Sequence, residues 1–206
     1  MNDKSSLSLI SVAVALVLGL SACSKQEGTA PSTSGTPATA AAPAQGKRAP
    51  SLDIVAAEAK GFTVGAVMSA RTAYVFFDPQ CPHCGHLWQA AEPLLGKYKF
   101  VWIPVAFLSK QSAPQGAALL SAANPAQAMT EHEASLLARN GGISASADAP
   151  KELLEAIRKN TLLLNEFGVE SVPYVVTKNA STGQLDVRNG TMDTAGLAAF
   201  LGISPP

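Results

Sequence analysis

At 206 residues the chain has room for one ordinary domain and some extra sequence, but not comfortably for two. An apolar share of 47% with 15% charged residues suits a globular body. The 15 basic residues balance the 15 acidic ones, so the phosphate attraction on which nucleic-acid binding rests has no source, and that class of function is set aside.

Residues 1–22 have the layout of an export signal: Lys4 near the start, an apolar stretch from Leu7 to Leu20, then small residues before Cys23. The stretch is about 14 residues, short of the roughly 20 a helix needs to cross a bilayer, which favours a signal over a permanent span. Leu20-Ser21-Ala22-Cys23 resembles the lipobox of bacterial lipoproteins. That resemblance implies cleavage after Ala22 and a lipid on Cys23; an ordinary cleavage site beside an unmodified Cys23 is the alternative. Ser24 in place of Asp after the cysteine implies, by the same resemblance, the outer membrane of a Gram-negative cell. From Ser24 to Pro50 the residues are almost all Ala, Pro, Ser, Thr and Gly, so 23–50 is read as a lipidated N-terminus with a flexible linker. A coil of that length reaches on the order of 30 Å root-mean-square, enough to hold a domain over 51–206 clear of a lipid surface.

Leu52, Val55, Ala56 and Ala59 fall at helical spacing before Gly61, predicting a short helix. Thr72 to Phe77 is an aromatic and β-branched run of strand length, suited to burial on both faces. Asp78-Pro79-Gln80 is turn chemistry, and from Cys81 to Lys97 the pattern is helical with a kink expected at Pro93. Lys99 to Phe107 reads as a second buried strand, completing a βαβ unit. Helices follow over Pro114–Ala123, from the Asn124-Pro125 cap to about Arg139, and over Pro150–Phe167, with a loop at 140–149. Pro173–Lys178 and Gln184–Arg188 read as a hairpin, and Thr194–Leu201 as a closing helix.

Cys81-Pro82-His83-Cys84 stands at the end of a buried strand and the start of a helix, the context in which C-x-x-C reads as a redox pair. Unpaired N–H groups and the positive end of the helix dipole favour a thiolate at Cys81. Cys84, one turn further in, is the resolving thiol, and a protonated His83 would add to the field at Cys81. The oxidising envelope leaves the pair free to cycle once Cys23 is lipidated. A structural disulfide is disfavoured because so short a loop constrains the unfolded chain little. A metal site built on Cys81, His83, Cys84 and His86 would need ligands from elsewhere to close a tetrahedron. Covalent haem asks for C-x-x-C-H, and residue 85 is Gly. Asp78 is read first as a turn residue and second as a proton relay, His86 as solvent-facing, His132 as a solvated surface group, and Trp88 and Trp102 as core.

With these motifs in place, the chain from about Gly61 to Leu201 resembles the catalytic domain of the Dsb proteins of bacterial envelope disulfide chemistry. Tyr74 to Cys84, Leu87-Trp88-Gln89-Ala90, Trp102-Ile103-Pro104-Val105 and the segment from Asn160-Thr161 to Gly168 are most similar to the DsbC and DsbG branch. The inner dipeptide Pro82-His83, which tunes the pair, and Val172 before Pro173 are similar to DsbA. The resemblance implies an α/β, thioredoxin-like fold with an inserted helical segment at about 112–167. It also implies a cis Val172–Pro173 bond facing Cys81 and Cys84, where a substrate chain pairs in extended form. No cofactor and no metal are implied. The implied partners are envelope proteins carrying thiols or disulfides and a membrane redox protein of the DsbB or DsbD kind, met on the periplasmic side of the envelope. DsbC and DsbG carry an N-terminal dimerisation domain, and only a linker and one short helix are read before Gly61, so the expectation is a monomer acting as a thiol oxidase. The alternatives are a disulfide isomerase or reductase, including reduction of sulfenic acids, and, from a different class, a lipid-anchored metal carrier.

Overall fold

The computed structural model describes residues 48–206. The signal at 1–22, Cys23 and the linker up to residue 47 lie outside the described residues. The described chain is anchored at once: Arg48 donates its backbone N–H to the Glu166 carbonyl at 2.8 Å, and its guanidinium pairs with the carboxylates of Glu58 and Glu166.

Helix α1 (Leu52–Glu58) starts on the Ser51 hydroxyl, which accepts from Ile54 N–H. A strand that the periodicity does not announce follows, β1 (Phe62–Gly65), alternating buried and exposed. It pairs antiparallel with β3 (Lys99–Pro104), while β2 (Thr72–Phe77) runs parallel to β3 on the other side. The hairpin of β4 (Tyr174–Lys178) and β5 (Leu185–Asn189) adds antiparallel to β2, giving the order β1-β3-β2-β4-β5. The parallel pair is therefore central, as buried strands on both faces require.

Two boundaries differ from the periodicity. Strand β3 ends at Pro104, not Phe107, because a proline has no N–H to continue the ladder, and the chain turns after Val105 N–H reaches the Phe77 carbonyl at 2.9 Å. Helix α2 (Pro82–Ala91) stops before Pro93, and Glu92–Leu94 tightens into a 3-10 turn where a kinked helix was expected. The inserted segment forms α3 (Ser112–Ser121), α4 (Pro125–Leu137) and α5 (Lys151–Glu166), with Asn124 capping α4 on Gln127 N–H. Helix α6 (Thr194–Leu201) begins on Asp193 and ends at Gly202 in the left-handed region.

Successive residues of β2 point to opposite sheet faces, and both faces are packed. Phe77 meets Phe62 and Trp102 edge to face, and Trp102 meets Trp88 of α2 with ring centres 5.2 Å apart. Phe76 packs instead against Phe167, at the end of α5, and Tyr174. Such ring pairs add about 0.5–1.5 kcal/mol each beyond the area they bury, so α2 is held firmly over the centre of the sheet.

One buried amide ties α5 to the sheet. Asn160 accepts from Lys60 N–H at 2.8 Å and donates to the carbonyls of Lys60 at 2.8 Å and Pro104 at 2.9 Å. Asn160→Ala strands three backbone groups and is expected to lower unfolding stability by about 2–3 kcal/mol, read from urea denaturation of the reduced domain.

Candidate active site

The reactive pair stands where β2 gives way to α2. Cys81 is extended at the N-cap of α2, with φ −100° and ψ 108°, and Pro82 takes the first helical position, where a missing N–H costs nothing. The Cys81 carbonyl accepts from the N–H of Cys84 at 2.9 Å and of Gly85 at 3.3 Å, closing the first turn around the pair. Both thiols are reduced. Both residues are buried, Cys81 at 4% exposure and Cys84 at none, so an incoming sulfur meets Cys81 first.

The two thiols also differ electrostatically. The Cys84 thiol, hydrogen-bonded to Cys81, lowers the Cys81 pKa to about 7, aided by the backbone N–H groups of Cys84 and His83 and opposed by burial and by Asp78. Burial pushes Cys84 far the other way, and the Cys81 sulfur adds to it. What His83 contributes here is its backbone N–H; its side chain is exposed, as is that of His86. The Val172–Pro173 bond is cis, and the Val172 carbonyl accepts from the Cys81 sulfur at 3.5 Å, bringing Val172 and Pro173 to the pair across 91 residues of sequence.

Asp78 is fully buried, and the four hydrogen bonds of its carboxylate shape the approach to Cys81. Oδ1 accepts from Gln80 N–H at 2.9 Å and from the Ser112 hydroxyl at 2.6 Å; Oδ2 accepts from the N–H groups of Phe107 and Leu108 at 2.9 and 3.0 Å. The carboxylate thus joins the turn before Cys81, the loop after β3 and the start of α3.

His132 is a correction. Expected in solvent, it is fully buried: Nδ1 accepts from Ile143 N–H at 3.1 Å and Nε2 donates to the Pro79 carbonyl at 2.7 Å. Burial pushes its pKa down, in keeping with a neutral ring protonated on Nε2. The 139–143 loop closes over it, and Gly142, at φ +85°, lies so near that a Cβ there would come 2.5 Å from the ring. Gln80 and Gln115 clip the same loop through the Gly141 carbonyl at 2.9 and 2.7 Å. Met129, His132, Glu133 and Leu136 are all buried at spacings of three and four, so the inward stripe of α4 was present in the sequence but masked by its polar members. Among the described residues no group of three or more His, Cys, Asp or Glu side chains is placed to hold a metal ion.

Alkylation of the reduced domain with iodoacetamide should rise through a midpoint near pH 7 at Cys81, while Cys84 stays unmodified over the same range. Peptide mapping after a pH series reads both. Preferential labelling of Cys84 would reverse the assignment.

No family model matches the sequence. Two curated relatives do: a thiol:disulfide interchange protein DsbG from Pseudomonas aeruginosa, 28% identical over 67% of this chain and 54% of its own length, and a DsbG from Escherichia coli, 30% identical over 50% and 41%. The chain thus spans about half the length of the curated relatives it matches. Among solved structures, a periplasmic thioredoxin-like protein from Salmonella enterica serovar Typhimurium superposes with a TM-score of 0.59 at 19% identity, covering 75% of this chain and 97% of that one. The catalytic domain of Proteus mirabilis ScsC gives 0.55 at 18% identity, with coverage of 72% and 95%. The chain therefore has a thioredoxin-like α/β fold with a helical insertion, and in sequence it is similar to the DsbG proteins.

Proposed function

We propose that this protein is a thiol-disulfide oxidoreductase of the periplasm that exchanges disulfides with envelope proteins through Cys81 and Cys84. The observation that carries this reading is the asymmetry of the pair: a helix-start cysteine with a pKa near 7 beside a more deeply buried partner whose thiol is pushed well above its ordinary pKa. A substrate thiolate attacks the Cys81–Cys84 disulfide at Cys81, forming a substrate–Cys81 disulfide and releasing Cys84. A second substrate thiol, as its thiolate, then attacks the substrate sulfur and expels Cys81 as a thiolate, leaving the substrate oxidised and the pair reduced. Phe107 and Leu108, 41% and 51% exposed on the loop that Asp78 fastens, offer apolar contact for an unfolded client, and the exposed chain at Glu170-Ser171 before Val172 offers backbone for strand addition.

Net oxidation is the favoured direction, because each group that stabilises the Cys81 thiolate stabilises the reduced form and makes the disulfide a stronger oxidant; 1.4 kcal/mol corresponds to about 30 mV. A protonated His83 would tune the pair in that sense, whereas the Val172 carbonyl, which accepts from the Cys81 sulfur, favours the thiol and acts against it. Isomerase or reductase action, including reduction of sulfenic acids, is the second reading, favoured by the similarity to DsbG. A membrane partner of the DsbB kind would re-oxidise the pair in the first case, and one of the DsbD kind would reduce it in the second. The Leu20–Cys23 motif supports a lipid on Cys23 that holds the domain at the periplasmic face of the outer membrane.

Cys84→Ala should trap client proteins on Cys81 as mixed disulfides that reducing gel electrophoresis releases; a variant that traps nothing in periplasmic extract would remove the activity. Equilibrating the wild-type pair against glutathione gives the direction, and His83→Ala should shift that equilibrium toward the disulfide. Cys23→Ser should free the domain from membranes, and an unmodified Cys23 in the intact mass of the mature wild type would refute the anchor.

A further inference from the structure

Strand β5 closes one side of the sheet, and among the described residues no strand pairs with its outer edge. Along an antiparallel ladder the backbone groups of successive residues point alternately toward the partner strand and away from it. The bonds that flank β5 set the phase: the Gln184 carbonyl accepts from Asn179 N–H at 2.9 Å, and Gly190 N–H donates to the Pro173 carbonyl at 2.8 Å. Asp186 and Arg188, between them in the same phase, therefore turn their backbone groups to β4, and the N–H and C=O groups of Leu185, Val187 and Asn189 face outward. An open row of this kind is a template for another strand. Neither proline nor lysine blunts it, and Leu185 and Val187, each 45% exposed, share one face of the strand. Its two charged side chains, Asp186 and Arg188, have no ion-pair partner among the described residues.

The strand complements a second copy of itself. Laid antiparallel with Val187 on a two-fold axis, it sets Leu185 opposite Asn189 of the second copy and Asp186 opposite Arg188 of the second copy, and the same pairs recur on the other side of the axis. Val187 with its own copy and Leu185 with Asn189 are then the hydrogen-bonded pairs, so every outward N–H and C=O of the strand finds a partner. Asp186 and Arg188 fall on the non-hydrogen-bonded pairs, where side chains come closest. Sliding the strands by two residues either way keeps the backbone bonds but sets Asp186 against Asp186 or Arg188 against Arg188. A slide by one sets outward groups against inward ones, so charge and pleat together admit one register. In it, Leu185 and Val187 of both copies join in one apolar stripe on the face that carries Val176 and Tyr74.

We propose that β5 is a self-association edge through which two copies of this chain join into one continuous sheet, antiparallel and centred on Val187. The inference goes beyond the exchange chemistry of Cys81 and Cys84 and does not rest on it. The two-fold axis passes through the sheet, so the strands of the two copies run in opposite directions, and their Cys81 ends lie at opposite ends of the joined sheet, each open to clients. A ladder of five residues a side is small beside the roughly 1,200–2,000 Å² of a standard interface, so the association is reversible and depends on concentration.

Sedimentation velocity over a concentration series tests this on the chain from residue 23 onward carrying Cys23→Ser, kept reduced so that neither a lipid nor a disulfide joins the copies. With β5 unaltered it should show a monomer–dimer equilibrium that weakens as salt is added. Asp186→Arg or Arg188→Asp alone sets like charges against each other in both pairs and should weaken the dimer about ten-fold, and the two together should restore it. Val187→Lys, which places two ammonium groups on the axis, should abolish it. Near-ultraviolet circular dichroism checks the fold of each variant. Hydrogen exchange locates the contact: with β5 unaltered, the amides of Leu185, Val187 and Asn189 should slow as concentration rises, while those of Asp186 and Arg188, turned to β4, stay as they were. A monomer at every concentration, a double variant that does not recover, or a dimer whose three outward amides exchange as fast as in the monomer would overturn the proposal. A chain that dimerises in this way but does not exchange with glutathione would overturn only the function assigned to Cys81 and Cys84.

Discussion

A carboxylate taken out of water must be repaid by donors, and Asp78 is repaid by four, from Gln80, Phe107, Leu108 and Ser112. Hydrogen bonds to a charged acceptor contribute about 1.5–3 kcal/mol each, and here they tie the turn before α2 to the stretch from Phe107 to Ser112, 29 to 34 residues further along the chain. The turn from β2 into α2 takes its shape from this knot, and the loop after β3 and the start of α3 are fixed by the same two oxygens. The insertion adds a second fastening, through His132 to the Pro79 carbonyl and through Gln80 and Gln115 to Gly141. The helix start that carries Cys81 is thus held from both sides, which is what a reactive sulfur with a defined reach requires.

That arrangement has an electrostatic cost. Asp78 opposes the Cys81 thiolate and adds to the burial that pushes the Glu133 pKa up. The thiolate forms because the Cys84 thiol and two backbone N–H groups point at it. Cys84, the donor that matters most, is kept as a donor by its own burial. The two cysteines are therefore unlike from the outset: Cys81 at the helix start has its pKa lowered, and the more deeply buried Cys84 has its pKa raised.

Much of this was legible in the sequence. Thr72–Phe77, the hairpin strands and Thr194–Leu201 stand where period and turn chemistry place them, because each pattern is pure enough to survive packing. Cys81 at a strand-to-helix junction was legible for the same reason. Strand β1 was not, since four residues on a sheet edge give too few alternations to rise above noise. The end of β3 was misjudged because the apolar run continues past Pro104 although its ladder cannot. His132 and Glu133 were hidden by a rule that sends polar side chains to solvent. Their burial was decided by the proximity of α4 to α2 and by the donors of the 139–143 loop, neither of which spacing alone can express.

The measurement that bears most directly on the account is the thiolate titration of Cys81 in Asp78→Asn, followed by ultraviolet absorbance of the reduced domain beside its urea stability. An amide at residue 78 presents a donor toward groups that are themselves donors, so stability should fall by about 1–3 kcal/mol. With the opposing charge gone, the Cys81 pKa should drop below its wild-type value of about 7. A pKa that stays unchanged or rises, in a variant that still folds, would mean that the field at Cys81 is not set by the groups named here.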